Sequence, residues 1–214
     1  MLNKQGFDLW ANDYDRTVQL SEENNEYPFA GYKGILNLIF NEAMQKEQSH
    51  VLDIGFGTGI LAAKLCEKGH HIDGIDFSEE MIAIAQQKMP KARLLQADIT
   101  EGLPEPIASS HYDTIVSTYA LHHLTDAEKT VFIETLLARL KPDGKIYIGD
   151  IAFRTRKDLA QCRLNSISYW DEDEFYFAYD EFKASISHIC HSEFHPVSHC
   201  GSVIILSKVN TDVS

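Results

Sequence analysis

The residues with the clearest potential for chemistry form one glycine-rich loop, Asp53-Ile54-Gly55-Phe56-Gly57-Thr58-Gly59. An apolar run at 51–54 overlaps its start and a helical pattern follows it, so the loop joins a strand to a helix. Glycines there let the backbone turn sharply and approach a ligand, because no Cβ stands in the way. Open α/β sheets bind ligands at this position, the carboxyl end of a strand. We therefore predict a ligand-binding loop; a tight turn without a ligand is the alternative.

The spacing of these glycines argues against two common phosphate-binding loops. A dinucleotide fingerprint, G-x-G-x-x-G, needs a glycine where this chain has Ile60, and Gly59 stands one residue too early. The loop also lacks the G-K-[ST] ending of a nucleoside triphosphate site. A nicotinamide-dependent oxidoreductase with a similarly layered α/β fold is therefore the less favoured alternative.

Two more carboxylates follow neighbouring predicted strands. Asp76 closes the second strand, 23 residues after Asp53, where such folds place an acid that accepts hydrogen bonds from ribose hydroxyls. Its alternative role is in helix capping, although Ser78 already offers a capping oxygen. Asp98 follows the third strand. Because parallel strands end at one sheet edge, we expect the three acids to lie together.

Alternating strands and helices must position these residues. Period-two and helical patterns, with caps at Ser78 and Thr125, predict parallel strands joined by right-handed crossovers. The last two strand-like runs are separated only around Gly201, which indicates an antiparallel hairpin. The predicted fold is a three-layer α/β/α sandwich around a seven-stranded, mostly parallel sheet. The predicted helices cover 32–44, 59–68, 79–88 and 126–140, and the strands cover 51–54, 71–75, 92–96, 112–117, 145–149, 193–199 and 202–208.

Composition narrows the class of protein. Hydrophobic residues are 44% and charged residues 24% of 214, which is typical of a folded globular chain. The net charge of −13 repels nucleic acid and anionic lipid, so neither is an expected partner. The four cysteines form no C-x-x-C pair and indicate reduced thiols. The opening residues lack a signal peptide's apolar run, so we expect a cytoplasmic protein.

This ordered set of motifs resembles the class I S-adenosylmethionine-dependent methyltransferases, which have a Rossmann-like fold. Residues 51–59 resemble the first motif of that family, and Leu140-Lys141-Pro142-Asp143-Gly144 resembles its turn into the fifth strand. The terminal hairpin fits as well. The opening 7–15 and Tyr119-Ala120-Leu121-His122-His123-Leu124 are closest to the small uncharacterised YrrT-like bacterial members. The resemblance implies a transferase that carries out methylation with S-adenosyl-L-methionine.

The resemblance also implies a role for each matching residue. The loop glycines would lie under the methionine moiety and ribose, and Asp53 would orient the loop and the amino group. Asp76 would hold the ribose, and Asp98 would accept from the adenine amino group. The expected cofactor-binding residues are Asp53, Gly55, Phe56, Gly57, Gly59, Asp76, Phe77, Met81, Asp98, Ile99 and Ser117.

The candidate catalytic residues are His122, His123 and Tyr14. A base is needed only if the methyl acceptor must lose a proton. The two histidines follow the fourth strand at the ligand edge, and their ordinary pKa of about 6.5 suits that task; packing or substrate orientation is the alternative. Tyr14 and Trp10 would belong to a mobile segment that closes over the cofactor, or else to a buried helix.

Two other regions have unusual composition. Aromatic and acidic residues alternate through 169–179, which suits either a cationic acceptor or ordinary packing with a solvated acidic face. Histidines and cysteines crowd the chain between 188 and 200. Their spacing matches no standard zinc site, so we predict no bound metal.

We predict one methyltransferase domain that acts on a small-molecule acceptor. A non-catalytic module that senses S-adenosylmethionine or S-adenosylhomocysteine is the alternative, since cofactor contacts do not prove turnover. The acceptor atom and the oligomeric state stay open. The predicted parts of the domain at 1–214 are an N-terminal helical cap or lid at 1–46, a cofactor-binding core at 49–150, a variable substrate-pocket insertion at 151–192 and a hairpin at 193–209.

Overall fold

The computed structural model describes Val18 and residues 26–209. The predictions for Tyr14 and Trp10 lie outside the described residues. The described helices are α1 (Tyr32–Ala43), α2 (Ile60–Glu67), α3 (Glu79–Lys88), α4 (Asp126–Arg139), α5 (Arg156–Asn165) and α6 (Tyr179–Ile186). The strands are β1 (His50–Ile54), β2 (His71–Asp76), β3 (Arg93–Gln96), β4 (Tyr112–Thr118), β5 (Leu140–Phe153), β6 (Phe177–Ala178), β7 (Cys190–Pro196) and β8 (Gly201–Lys208).

The strands form one twisted sheet in the order β3-β2-β1-β4-β5-β8-β7. Strands β1 to β5 are parallel, and β8 runs antiparallel to both β5 and β7. The predicted fold class is therefore confirmed. The structure adds the two-residue strand β6, which pairs with the end of β5.

Helices cover both faces of this sheet. Alternate residues of β1 point to opposite sides, so Val51 and Leu52 belong to different hydrophobic clusters. Apolar residues of α1, α2 and α5 complete the first cluster, and those of α4 and α6 complete the second. Strand β1 is fully buried after its first residue, as expected for a parallel strand covered on both faces. None of the helices within 26–209 has the length and apolar content needed to cross a bilayer.

Local sequence signals set the ends of α3 and α4. The Ser78 hydroxyl accepts the Met81 N–H at 3.2 Å, and Glu79 lies in the first turn, where a helix favours negative charge. Thr125 and Glu128 form the predicted capping box of α4. These two helices begin where the sequence predicts.

Several boundaries differ from the sequence prediction. Strand β5 already begins at Leu140, which pairs with Tyr112, so the predicted turn at 140–144 is part of this strand. The strand also continues beyond residue 149 to Phe153, because Ile151 pairs with Gly201 and Ala152 pairs with Phe177. Strand β7 lies three residues earlier than predicted, with its first pair between Cys190 and Lys208. The region 151–192 holds α5, β6 and α6, for which no specific elements were predicted.

The strand register brings the functional loops to one edge. Ile54 of β1 pairs with Ile75 on one side and with Ser117 on the other. The segments that follow β1, β2 and β4 therefore leave the sheet side by side. Asp76 lies opposite Gln96 of β3, so the segment containing Asp98 begins at the same edge.

Candidate functional site

The glycine loop turns through backbone conformations that favour glycine. Gly55 and Gly57 have φ values of 69° and 56°, in the left-handed region. A Cβ on Gly55 would stand 2.4 Å from the Ala120 Cβ, whereas a Cβ on Gly57 would meet nothing within 4 Å. Gly55 therefore permits close packing against the segment after β4, and Gly57 leaves open space beside the loop.

Asp76 ties the glycine loop to the end of β2. One carboxylate oxygen accepts the Gly57 N–H at 2.7 Å, and the other accepts the Ser78 N–H at 2.9 Å. Ser78 itself provides the cap of α3. A carboxylate oxygen can accept more than one hydrogen bond, so Asp76 keeps capacity for hydroxyl groups of a ligand.

Asp53 is a buried acid beneath the same loop. It is 1% exposed, and its Oδ1 has no hydrogen-bond partner among the described residues. Burial, followed by the negative charge of Asp76, raises the pKa of Asp53 to about 8. A nearby cation would stabilise the ionised carboxylate, so this acid suits a positively charged ligand group.

A cleft opens beside the loop at the carboxyl edge of the sheet. Its empty space is about 910 Å³, including a part that is open to solvent. Eight of the residues singled out from the sequence line this cleft: Gly55, Gly57, Asp76, Phe77, Met81, Asp98, Ile99 and His123.

Other expected site residues lie outside the lining of this cleft. Phe56 packs beneath Gly74, where a Cβ would be 2.6 Å from its ring, and Gly59 packs in the same way against Ala85. The Ser117 hydroxyl donates to the Ile54 carbonyl at 3.1 Å. These three residues thus join the glycine loop, α3 and β4 to one another.

Several lining residues were not anticipated. Thr118 ends β4, Tyr119 and Ala120 follow it, and together they contribute one wall. Tyr119 has a positive φ of 52°, which is uncommon for an aromatic residue and marks a sharp turn. Their position directly after a strand at the ligand edge was the available signal. Ala97 and Thr100 flank Asp98 and complete the adjoining wall.

Asp98 also shapes its own turn. Its Oδ1 accepts the Thr100 N–H at 2.8 Å and the Thr100 hydroxyl at 2.7 Å. These bonds cap a short 3₁₀ turn over Ile99–Glu101. Asp98 is therefore held at the rim, with Ile99 beside it in the lining.

The two adjacent histidines have different surroundings. His122 is buried, with Nδ1 2.6 Å from Asp150 Oδ1, whereas His123 lines the cleft. Burial lowers the pKa of His122, but the charge and hydrogen bond of Asp150 outweigh it and leave the pKa raised. Burial, followed by the charge of His122, lowers the pKa of His123 to about 4. His123 is therefore neutral at pH 7.

The aromatic and acidic stretch packs largely on itself and on Tyr27. Trp170 stacks on Tyr27 with ring centroids 5.4 Å apart, and Tyr176 meets Trp170 edge-on at 4.7 Å. The Tyr176 hydroxyl donates to Glu174 Oε2 at 2.6 Å. Reception of a cationic acceptor by this stretch stays a prediction.

The histidines and cysteines between 188 and 200 lie mainly along the hairpin of β7 and β8. Cys190 and Cys200 are buried, and burial raises the pKa of the Cys190 thiol to about 11. Within the described residues, no group of three potential metal ligands occurs in this region. Such protonated, buried thiols behave as packing groups.

Comparison with known proteins identifies the family. The family model described as "Methyltransferase domain" matches residues 51–144. An uncharacterised methyltransferase of Geobacillus kaustophilus is 41% identical over 158 residues, which span 72% of this chain and 69% of the relative. One from Geobacillus thermodenitrificans is 40% identical over 158 residues, with the same coverage of both chains.

Solved structures share the fold at low sequence identity. Magnesium protoporphyrin IX methyltransferase from Synechocystis, solved with S-adenosylhomocysteine, has a TM-score of 0.73 at 15% identity and covers 96% of this chain and 98% of its own. An S-adenosylmethionine-dependent methyltransferase from Clostridium acetobutylicum has a TM-score of 0.69 at 14% identity, covering 91% of this chain and 98% of its own.

The site is consistent with that relationship. The glycine turn has open space beside Gly57, and the Asp76 carboxylate accepts the Gly57 N–H. Asp53 has one carboxylate oxygen without a hydrogen-bond partner among the described residues, which suits a positively charged ligand group. The dinucleotide-dependent oxidoreductase considered from the sequence is set aside by the family match. The chain belongs to the S-adenosylmethionine-dependent methyltransferases and is an enzyme that uses S-adenosylmethionine as its methyl donor.

Proposed function

We propose that the enzyme methylates a small-molecule acceptor that enters the cleft beside His123. The observation that carries this proposal is the position of His123, which shares one cleft with Asp76 and the glycine loop. The chain's net charge of −13 supports a small acceptor over nucleic acid, because phosphate backbones would be repelled.

The residues assigned to the methyl donor line the cleft, except Asp53, which is buried outside its lining. We assign the glycine loop to the methionine moiety, the free oxygen of Asp53 to its ammonium group and Asp76 to the ribose hydroxyls. Asp98 and Ile99 are assigned to the adenine, with Phe77 and Met81 beside the ring. The buried state of Asp53 and the lining positions of the other residues support these assignments.

When bound, S-adenosylmethionine supplies a methyl group that moves to a nucleophile by in-line displacement, with loss of the sulfonium charge. The residues of this chain orient the reactants and exclude water. Orientation of this kind contributes up to about 7–11 kcal/mol to lowering a barrier. We therefore assign Ala120, in the cleft wall next to the glycine loop, to positioning and water exclusion around the reacting groups.

Proton removal is needed only for an acceptor whose nucleophile carries a proton that it must lose. In that case His123 is the candidate in the cleft, because its neutral ring can accept a hydrogen bond or a proton. A pKa of about 4 makes it a weak base. The geometry thus favours His123 as an orienting group, with proton transfer restricted to acidic acceptors.

We also propose that the segment 151–192 shapes the acceptor end of the cleft, and that 26–46, the continuously described part of the predicted cap at 1–46, borders it. The packing of Tyr27 on Trp170 supports a connection between these two segments.

We propose a reducing, cytoplasmic location as well. Its support is that Cys66, Cys162, Cys190 and Cys200 are all free, as is usual where thiols are kept reduced.

The acceptor class can be tested with methyl-labelled S-adenosylmethionine. The purified enzyme would be incubated in parallel with a metabolite extract, with bulk RNA and DNA, and with a protein extract. We expect label in the small-molecule fraction, and much less label there when Asp76→Ala replaces the native enzyme at a low concentration of S-adenosylmethionine. Label that appears in nucleic acid or protein, and not in the metabolite fraction, would contradict the proposal.

A further inference from the structure

A group of metal-ligating side chains lies at the wall of the cleft, outside the residues assigned to the methyl donor. His122, His123 and Glu174 each place a ligand atom within 4.8 Å of the others. His122 Nε2 is 3.6 Å from Glu174 Oε1. Two ligands of one tetrahedral zinc ion at about 2.0–2.1 Å lie about 3.4 Å from each other. The spacing of this pair therefore already suits a shared cation.

Neighbouring groups orient two of the three ligands. The Asp150 carboxylate binds His122 Nδ1 at 2.6 Å, so Nε2 is the nitrogen directed at Glu174. The Tyr176 hydroxyl donates to Glu174 Oε2 at 2.6 Å, which leaves Oε1 on the side of the histidine. Metal-binding histidines and carboxylates are commonly held by such outer hydrogen bonds, which fix the ring tautomer and the ligand direction.

The backbone fastens the Glu174 loop to the turn that carries both histidines. The Phe175 N–H donates to the His122 carbonyl at 2.7 Å, and the Phe175 carbonyl accepts a hydrogen bond from the Lys129 ammonium. The acid next to Phe175 therefore has a defined position relative to His122. A preformed arrangement of this kind lowers the ordering cost of binding an ion.

The local charges also suit a dication. Asp150 is fully buried and the Glu174 side chain is 18% exposed, so two carboxylates stand in a region with little water. Buried charges are normally paired or coordinate a metal. A divalent ion with two neutral imidazoles would balance Asp150 and Glu174.

We propose that His122 Nε2, a ring nitrogen of His123 and Glu174 Oε1 bind one divalent transition-metal ion. Two histidines and one carboxylate form the ligand set of many catalytic zinc and iron(II) sites, which keep coordination positions open for a substrate or water. Because His123 also lines the cleft, an open position would be next to the methyl donor. This role rests on the proposed function: the ion would hold an oxygen or nitrogen atom of the acceptor.

The separation of the three ligands in the sequence explains why the site could not be predicted from spacing. Glu174 is in the segment after α5, and the histidines follow β4. The histidines and cysteines between 188 and 200 are closer together in the sequence, but within the described part of the chain they provide no such group.

Metal binding can be measured directly, by experiments that do not depend on methyl transfer. Chelator-treated full-length enzyme would be titrated with Zn²⁺ by calorimetry and with Co²⁺ by visible absorption, which reports the coordination of cobalt. We expect one equivalent of each ion, and a loss of affinity of roughly tenfold or more in Glu174→Gln and in His123→Gln. Glu172→Gln is the matched control, because this exposed acid of the same loop pairs with Arg163, and its affinity should equal that of the native enzyme.

The result that overturns the proposal is an absence of stoichiometric binding by the native enzyme, or an affinity for Zn²⁺ that Glu174→Gln and His123→Gln both leave unchanged. Thermal melting of each variant confirms that it is folded. Affinity for S-adenosylmethionine is measured on the same samples. Intact metal binding combined with no labelled small molecule would count against the proposed function alone, whereas the converse would count against the metal site alone.

Discussion

The Asp76 carboxylate accepts the Gly57 N–H at 2.7 Å, and this bond joins the ends of two neighbouring parallel strands. Ile54 and Ile75 are paired in the register of β1 and β2, so the loops that follow them leave the sheet together. The same carboxylate also accepts from Ser78. Asp76 thus organises the backbone of the cleft, in addition to its assigned role toward the ribose.

Replacing Asp76 with alanine should weaken S-adenosylmethionine binding by roughly 10- to 100-fold. The variant loses charge-assisted hydrogen bonds, which contribute about 1.5–3 kcal/mol each, and about 1.4 kcal/mol corresponds to tenfold in affinity. Calorimetric titration gives the dissociation constant. Asp143→Ala, at an exposed position near the start of β5, is the control and should bind normally. Native affinity in Asp76→Ala would remove the basis of the site assignment.

Replacing Gly57 with alanine should abolish most cofactor affinity with only a modest loss of stability. Its φ of 56° costs a side-chain-bearing residue roughly 1–2 kcal/mol, while the new methyl group meets no protein atom within 4 Å. The methyl group would instead occupy space beside the loop that the ligand needs. Thermal melting and calorimetry together measure the two effects.

Gly69→Ala provides a matched control for that variant. Gly69 also has a positive φ, 91°, and an open Cβ position, but it follows α2 at the opposite end of that helix from the glycine loop. Both variants should lose a similar amount of stability, and only Gly57→Ala should lose affinity. Equal affinities in the two variants would argue that no ligand lies against Gly57.

Asp53 should make cofactor binding dependent on pH. Its pKa of about 8 lies above the unfolded value of about 3.9, so the folded, ligand-free enzyme retains a proton that the unfolded chain loses. This group therefore lowers stability progressively as pH rises from about 4 to 8. An ammonium group beside Asp53 favours the ionised carboxylate, so binding below pH 8 releases the proton.

Affinity for S-adenosylmethionine should consequently increase by up to about tenfold for each pH unit between 6 and 7.5. Calorimetry in buffers of different ionisation enthalpy counts the released proton. Asp53→Asn removes the titrating group and should flatten the profile, while Asp76, the nearest acid acting on it, stays in place. An equally steep profile in Asp53→Asn would assign the proton to another residue.

The sequence was sufficient to predict that Gly55, Asp76 and Asp98 lie at one edge of the sheet, where they line one cleft, because strand ends are set by short-range signals. Asp76 closes the second predicted strand and Asp98 follows the third, and parallel strands bring such positions together whatever the details of packing. Side-chain direction is harder to predict, since a shift of one residue turns a side chain to the other face. Ser117 is an example, because it was expected at the cofactor. Its hydroxyl instead bonds to the Ile54 carbonyl, and the cleft lining begins at Thr118.

The acceptor side of the site depends on contacts that no local pattern encodes. His122 pairs with Asp150, which lies in the part of β5 beyond the predicted end of that strand. Glu174 approaches His122 because Phe175 bonds to the backbone of the histidine turn. Such encounters follow from tertiary packing of segments far apart in the chain. Composition could single out the stretch at 169–179 but could not assign its partners.

The carboxylate of Asp73, which lies in β2 away from the cleft, should make the stability of the protein depend on pH in acid. Asp73 is buried and receives hydrogen bonds from His50 at 2.9 Å, from Arg93 Nε at 3.0 Å and from the Tyr112 hydroxyl at 2.9 Å. Burial raises the pKa of this carboxyl, but these partners outweigh burial and lower the pKa to about 2. The folded state therefore retains the ionised form at a pH where the unfolded chain takes up a proton.

Because the folded pKa is depressed, the stabilisation from Asp73 is complete above the unfolded pKa of about 3.9 and is lost as pH falls toward 2. Its size is about 2–3 kcal/mol. Urea unfolding between pH 2 and 6 should show that Asp73→Asn is less stable than the native enzyme at pH 6, and that the difference shrinks as pH falls. Asp143→Asn is the exposed control and should follow the native curve. A gap between native enzyme and Asp73→Asn that stays constant down to pH 2 would show that packing around residue 73, and not the charge of its carboxylate, provides the stabilisation.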